Sequence, residues 1–165
     1  HLFDANLAKA IRGNYAVTNA VDVGCGNGFY TAYFIASGWN CKGYDGSPLT
    51  PQVTDGVCET LDFSEPQDIG QFELVISLEV GEHIPQEYER VFIENLCRAS
   101  LKYICLSWAV VGQGGTGHVN CRDNWYVIQE FRKRNFEMDI ALTRKLREAG
   151  SLPWFKNTIL CLFKI

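Results

Sequence analysis

The sequence predicts an α/β protein in which a mostly parallel sheet is covered by helices on both faces. Three observations carry that expectation. Short apolar runs of strand character alternate along the chain with segments of helical spacing. The first of these runs, ending at Val23, passes straight into a glycine turn and then a helix. No internal repeat or low-complexity linker breaks the alternation. At 165 residues the chain fits a single domain, residues 1–165, large enough to bury a core without covalent staples.

The elements follow in order. Residues 20–23 form the first strand. Residues 29–37 read as a helix, because Tyr30, Tyr33 and Phe34 recur at helical spacing and Gly38 stands where a C-terminal cap belongs. Residues 41–44 make a second strand, 48–53 a weak helix and 57–59 a weak third strand. Residues 72–78 are the most strand-like segment of the chain. Pro85 suits a first helical turn, and the helix it opens runs to about Ala99 with Tyr88, Val91, Phe92 and Leu96 on one stripe. Residues 103–108 form the next strand, followed by a glycine-rich loop and a helix over 121–134 that aligns Trp125, Ile128 and Phe131. Residues 136–140 and 158–163 make a closing pair of strands around a helix at 143–149. Ligands of such sheets collect beyond the carboxyl ends of the strands.

Composition narrows the function. The net charge of −4 argues against nucleic acid as a partner. Arg132-Lys133-Arg134 and Arg144-Lys145 with Arg147 are basic clusters, but they fall in helical stretches and read as solvated faces. No apolar run approaches a membrane span and no signal-like stretch opens the chain, so no membrane partner and a cytoplasmic location are expected. His1 in place of an initiator Met suggests a fragment that lacks N-terminal helices. None of the seven cysteines forms a Cys-x-x-Cys pair, and Cys41, Cys105 and Cys161 sit inside apolar strand runs. Neither a disulfide framework nor a zinc site is therefore expected.

The strongest motif is Val21-Asp22-Val23-Gly24-Cys25-Gly26-Asn27-Gly28, a strand running into a glycine turn that opens a helix. Glycines allow the tight turn and let backbone approach a ligand closely. Asp45 lies at the end of the next strand, roughly twenty residues on, at the spacing of a ribose-binding acid. A dinucleotide turn would read G-x-G-x-x-G, but bulky Phe29 stands where its third glycine belongs.

The G-x-G-x-G spacing after Asp22 resembles motif I of the class I S-adenosylmethionine-dependent methyltransferases. The resemblance continues through Gly43-Tyr44-Asp45-Gly46, through Leu61-Asp62-Phe63, and through Leu74-Val75-Ile76-Ser77-Leu78-Glu79-Val80-Gly81-Glu82-His83-Ile84-Pro85, which is similar to the subgroup with a Glu-His pair after the fourth strand. It implies a three-layer Rossmann-like sandwich, with a mostly parallel seven-stranded sheet and an antiparallel C-terminal strand. It also implies S-adenosylmethionine as cofactor and S-adenosylhomocysteine as product. The cofactor-binding residues implied are Asp22, Gly24, Cys25, Gly26, Asp45, Gly46, Asp62, Phe63 and Glu79. Asp45 would take the ribose hydroxyls, Gly24 and Gly26 would pass under the methionine part, and Asp62 with the Phe63 amide would hold the adenine. Asp22 either accepts from the turn and the cofactor ammonium or simply braces the turn. Asp62 either holds adenine or caps the Ser64-Glu65-Pro66 turn.

Methyl transfer from a sulfonium is an in-line displacement that gains much from alignment, and needs a base only where the acceptor must lose a proton. The catalytic candidates are His83, His118 and Glu82. His83 serves as a base or orients the turn before the helix; His118 serves as a base or a substrate ligand. Asn120 is an alternative N-cap, with Asp123 three residues on. The loop Gly112-Gln113-Gly114-Gly115-Thr116-Gly117 reads as a lid, since no Gly-Lys-Ser/Thr follows to make a phosphate cradle. Together with Ser107-Trp108-Ala109 and His118-Val119-Asn120, it resembles methyltransferases of sugars and other small molecules. No Asp/Asn-Pro-Pro-Tyr/Phe motif follows the fourth strand, which disfavours exocyclic nitrogen acceptors. A magnesium site of the catechol type would have to use Glu79 and Asp123-Asn124 at loose spacing, so no metal is expected. The expected substrate is a small hydroxylated molecule methylated on oxygen. The rival reading is a catalytically silent cofactor-binding or regulatory module.

Overall fold

The computed structural model describes residues 2–165. Its elements in chain order are α1 (Ala5–Asn14), β1 (Asn19–Val23), α2 (Phe29–Ala36), β2 (Asn40–Asp45), α3 (Thr50–Val53), β3 (Cys58–Thr60), β4 (Phe72–Leu78), α4 (Glu89–Ala99), β5 (Ser100–Ser107), α5 (Asn124–Arg132), β6 (Phe136–Met138), α6 (Ile140–Ala149), α7 (Phe155–Thr158) and β7 (Ile159–Lys164). The strands form one seven-stranded sheet in the order β3-β2-β1-β4-β5-β7-β6. The pairs among β1 to β5 are parallel, while β7 runs antiparallel between β5 and β6. The α/β class, the parallel sheet and the antiparallel C-terminal strand are those expected.

The period of two along β4 explains the layering. Leu74, Ile76 and Leu78 join the core on one face with Leu7 and Ile11 of α1, Tyr30 and Phe34 of α2, and Leu146 of α6. Val75 points the other way, into the core made with Phe92, Ile93 and Leu96 of α4 and Val127 and Phe131 of α5. Both faces of the central strands are apolar because both are covered.

Several boundaries differ from expectation. Helix α1 was not anticipated, although Asp4 signals it by accepting from the amides of Asn6 and Leu7. The other Asp4 oxygen accepts from the amides of Ser151 and Leu152, pinning α1 to the turn after α6. The helix expected from Pro85 starts at Glu89, because residues 81–83 and 86–88 form two tight 3-10 turns first. Asp139 ends β6 early by capping α6, its carboxylate accepting from the Leu142 amide. Strand β6 therefore leaves part of the β7 edge uncovered. The Thr143 hydroxyl takes the Cys161 amide there, and Arg147 donates to the Ile159 carbonyl, so α6 satisfies the edge in place of a strand.

The basic clusters are partly absorbed by neighbours: Arg132 pairs with Glu137, and Lys133 and Arg134 pair with Glu130. Among the described residues no helix is long and apolar enough to cross a membrane.

Candidate active site

The carboxyl ends of β1, β2, β3 and β4 surround a cavity of about 390 Å³. Its lining includes Gly24, Asp45, Gly46, Asp62, Phe63, Glu79 and His83. A larger cavity of about 490 Å³ lies away from it, between α5, α6 and α7, and holds none of the expected site residues.

The glycine turn is shaped by its neighbours. The amides of Gly24 and Cys25 both donate to the Tyr44 carbonyl, at 2.7 and 3.0 Å, which ties the turn to the end of β2. Gly24 adopts φ +79°, and a Cβ there would overlap the Val80 side chain. Asp45 braces the turn from the other side: one oxygen accepts from the Gly26 amide at 2.9 Å and the other from the Ser47 amide at 3.0 Å. Asp62 accepts from the Ser64 amide at 2.8 Å while facing the cavity, and the Phe63 ring packs toward Tyr44.

Three expected cofactor residues do not line the cavity. Asp22 is buried beneath the turn and accepts from the Thr31 hydroxyl at 2.8 Å. Burial pushes its carboxyl up to about 7, and the Thr31 bond offsets only part of that effect. Asp22 therefore holds α2 against β1. Cys25 turns its thiol inward toward Cys58, and the Gly26 amide is occupied by Asp45. The same one-residue steps that bring Gly24 to the surface put its neighbours out of reach.

Beyond β4, Glu79 has φ +55°, a conformation a side-chain-bearing residue adopts at a cost of about 1 kcal/mol or more. Its amide donates to the Ser107 hydroxyl, and its carboxylate accepts from Gln113 at 3.1 Å and from Thr158 at 3.3 Å. Glu82, three residues on, is fully buried, and neither carboxylate oxygen has a hydrogen-bond partner. Burial first, and then the neighbouring Glu79 carboxylate, push the Glu82 carboxyl well above its ordinary range; nearby amides offset only part of this.

The glycine-rich loop is fastened to this turn. The amides of Val119 and Asn120 both donate to the Glu82 carbonyl. His83 bonds the Gly117 carbonyl through Nδ1 at 3.0 Å, and His118 bonds the Gln113 carbonyl through Nδ1 at 3.2 Å. The two imidazoles meet edge to face, 5.1 Å apart. His83 lines the cavity, whereas His118 and Glu82 lie behind it. Asn120 is not a helix cap: it is buried, donates to Glu89, and its carbonyl accepts from the Trp108 indole. Asp123 occupies the cap position of α5 without a side-chain bond. Asn124 donates its side-chain amide to the Asn157 carbonyl.

No protein-family model matches the chain. A curated relative, the probable chloroplastic tocopherol O-methyltransferase of Oryza sativa subsp. japonica, is 31% identical over 106 residues, covering 54% of this chain and 29% of that protein. The chain thus spans under a third of the length of that relative. Among solved structures, magnesium protoporphyrin IX methyltransferase from Synechocystis PCC 6803 with bound SAH superposes with TM-score 0.74 at 19% identity, covering 96% of this chain and 80% of that one. An S-adenosylmethionine-dependent methyltransferase from Clostridium acetobutylicum ATCC 824 gives TM-score 0.74 at 9% identity, covering 99% and 92%. The chain has the class I methyltransferase fold.

A second cavity of about 240 Å³ adjoins the first within the methyltransferase fold, lined by Leu2, Glu79, His83, Trp154 and Phe155. The Trp154 indole N–H is buried without a partner. These aromatic residues escaped sequence reasoning. Pro153-Trp154-Phe155 is an apolar turn with no periodicity, and only the antiparallel return of β7 brings it to the carboxyl edge.

Proposed function

We propose that the chain transfers a methyl group from S-adenosylmethionine to a small hydroxylated acceptor, at oxygen. One observation carries the reading: two cavities at the carboxyl edge of the sheet share Glu79 and His83 as their common wall. The cofactor takes the larger one and the acceptor the smaller, so that the methyl crosses at the wall.

Each residue then has a task its geometry permits. A carboxylate offers about four lone-pair sites, so Asp45 keeps its two amide bonds and still accepts from the ribose hydroxyls. Asp62 accepts from the adenine amino group, with Phe63 beside the ring. Gly24, without a Cβ, lets the methionine part pass close to the backbone. Glu79 stands at the sulfonium end, where negative charge suits the cation. Trp154 and Phe155 supply apolar walls for the acceptor, and the free indole N–H offers it one hydrogen bond. In the transfer the S–CH3 bond breaks as the O–CH3 bond forms, the sulfur keeps the electron pair, and S-adenosylhomocysteine remains. The acceptor also loses its hydroxyl proton. His83, on the wall of both cavities, is the base candidate beside it, with His118 and Glu82 behind.

Calorimetric titration with S-adenosylmethionine and S-adenosylhomocysteine, with NADH as control, tests the cofactor assignment. Micromolar binding of the first two and none of NADH is expected. Binding of NADH, or of none of the three, overturns it. Release of S-adenosylhomocysteine on a panel of hydroxylated small molecules tests the transfer; cofactor binding without turnover on any acceptor replaces the enzyme with a binding module.

A further inference from the structure

We infer that Glu82, His83 and His118 bind a divalent transition-metal cation at the wall between the two cavities, and that this cation holds the acceptor's hydroxyl oxygen. The cation site stands on geometry of its own; the role given to it rests on the methyl-transfer reading above.

The first observation is convergence. One ligand atom from each of the three residues lies within 4.8 Å of the others, although they come from a 3-10 turn after β4 and a loop thirty-odd residues later. His118 Nε2 is 3.9 Å from Glu82 Oε1, too far for a hydrogen bond. Two ligands of one metal ion stand about 3.3 Å apart, so the three ligand atoms, within 4.8 Å of one another, would draw together by up to about 1.5 Å to seat it.

The second observation fixes the protons. A backbone carbonyl can only accept, so His83 Nδ1 and His118 Nδ1 each carry a proton donated to Gly117 and Gln113 respectively. In its neutral form each ring then keeps its lone pair on Nε2. Histidines that ligate metals are commonly held in this way, with the other ring nitrogen donating to a carbonyl or carboxylate.

The third observation is the missing donor. Glu82 is fully buried, and neither of its oxygens has a hydrogen-bond partner. Two imidazole nitrogens beside a buried carboxyl group without a hydrogen-bond partner make an arrangement that a cation completes by taking the place of the carboxyl proton, since a buried polar group left unpartnered is costly.

The donor set selects the ion. Two imidazoles and one carboxylate suit zinc, iron(II), manganese or cobalt better than calcium or magnesium, which prefer all-oxygen shells. Three protein ligands leave positions open, and His83 faces both cavities. With a cation bound, the acceptor hydroxyl would be more acidic and its proton would pass to solvent, the imidazoles then serving as ligands in place of the base role given them above.

The test is titration of the chelator-stripped chain with Zn2+, Mn2+ and Co2+, read by calorimetry, by elemental analysis after dialysis, and by the visible absorption of bound Co2+. One equivalent is expected to bind. His118→Ala and Glu82→Gln should each weaken that binding at least about 100-fold and abolish the Co2+ spectrum. Binding of none of the three cations, or binding unchanged in both variants, overturns the inference. His83→Ala, at an exposed position, carries the same expectation should a buried-site variant unfold by circular dichroism. Cofactor titration of the stripped chain separates the two readings. Cation binding without S-adenosylmethionine binding overturns only the proposed function, and the reverse overturns only this inference.

Discussion

Gly81 lies flat against the indole of Trp108, so closely that a Cβ on Gly81 would overlap the ring. The contact matters because the Trp108 indole N–H donates to the Asn120 carbonyl at 2.7 Å, and the Asn120 backbone amide donates to the Glu82 backbone carbonyl. One glycine therefore sets the distance between the turn after β4 and the loop that carries His118.

Gly81→Ala is expected to push the buried indole off its site and cost about 1–3 kcal/mol, the usual range for overpacking. Urea denaturation followed by tryptophan fluorescence measures it. A variant as stable as the parent, with unchanged emission, would show that the turn can give way without cost.

If Asp45 takes the cofactor ribose as proposed, Asp45→Ala removes charge-assisted bonds worth about 1.5–3 kcal/mol and weakens affinity roughly ten- to a hundredfold. Calorimetry reads this directly, and an unchanged dissociation constant would exclude Asp45 from the cofactor site. Part of the loss comes through the Gly26 amide that Asp45 now holds, so Asp45→Asn, which keeps an acceptor oxygen, should fall between the two.

Asp22 gives the protein a pH dependence. Its carboxyl is raised from 3.8 to about 7 by burial, so the folded state binds this proton more tightly than the unfolded chain. Stability from this group is fully present below about pH 4 and is lost as pH rises toward 7. Asp22→Asn retains an acceptor for Thr31 and has no charge to bury. Its denaturation midpoint should fall less between about pH 5 and pH 8 than that of the parent. Parallel curves for the two proteins would remove Asp22 as the cause.

Glu89 organises a partly buried network at the start of α4. Its carboxylate accepts from Asn120, from Arg122 at 2.6 Å and from Tyr126, while the Arg122 guanidinium stacks over the Tyr126 ring. Glu89→Ala leaves three donors without a partner and should cost about 2–3 kcal/mol, less than a fully buried pair because Arg122 keeps some solvent. Chemical denaturation checks the magnitude. Equal losses in Glu89→Ala and Asn120→Ala, with no further loss in the double variant, would place the coupling between those two residues.

Much of this protein was determined by its sequence. The alternation of strand and helix patterns, the glycine turn after Val23 and the acid at Asp45 specified a parallel sheet with a ligand edge, because strand periodicity and turn chemistry are local properties. Helix α1 is just as local, with Asp4 as its cap and Leu7, Ala8 and Ile11 buried on one face. The tertiary structure decided the rest. Whether Asp22 faces a ligand or Thr31 depends on how α2 settles on β1, and a one-residue step in a tight turn reverses the direction of a side chain. Trp154 and Phe155 reach the second cavity only because β7 returns antiparallel beside β5. Glu82, His83 and His118 were each visible as polar residues, but not that the first would be buried without a donor or that both rings would give their Nδ1 protons to carbonyls of one loop. Such convergence is a matter of long-range packing, which spacing along a chain does not encode.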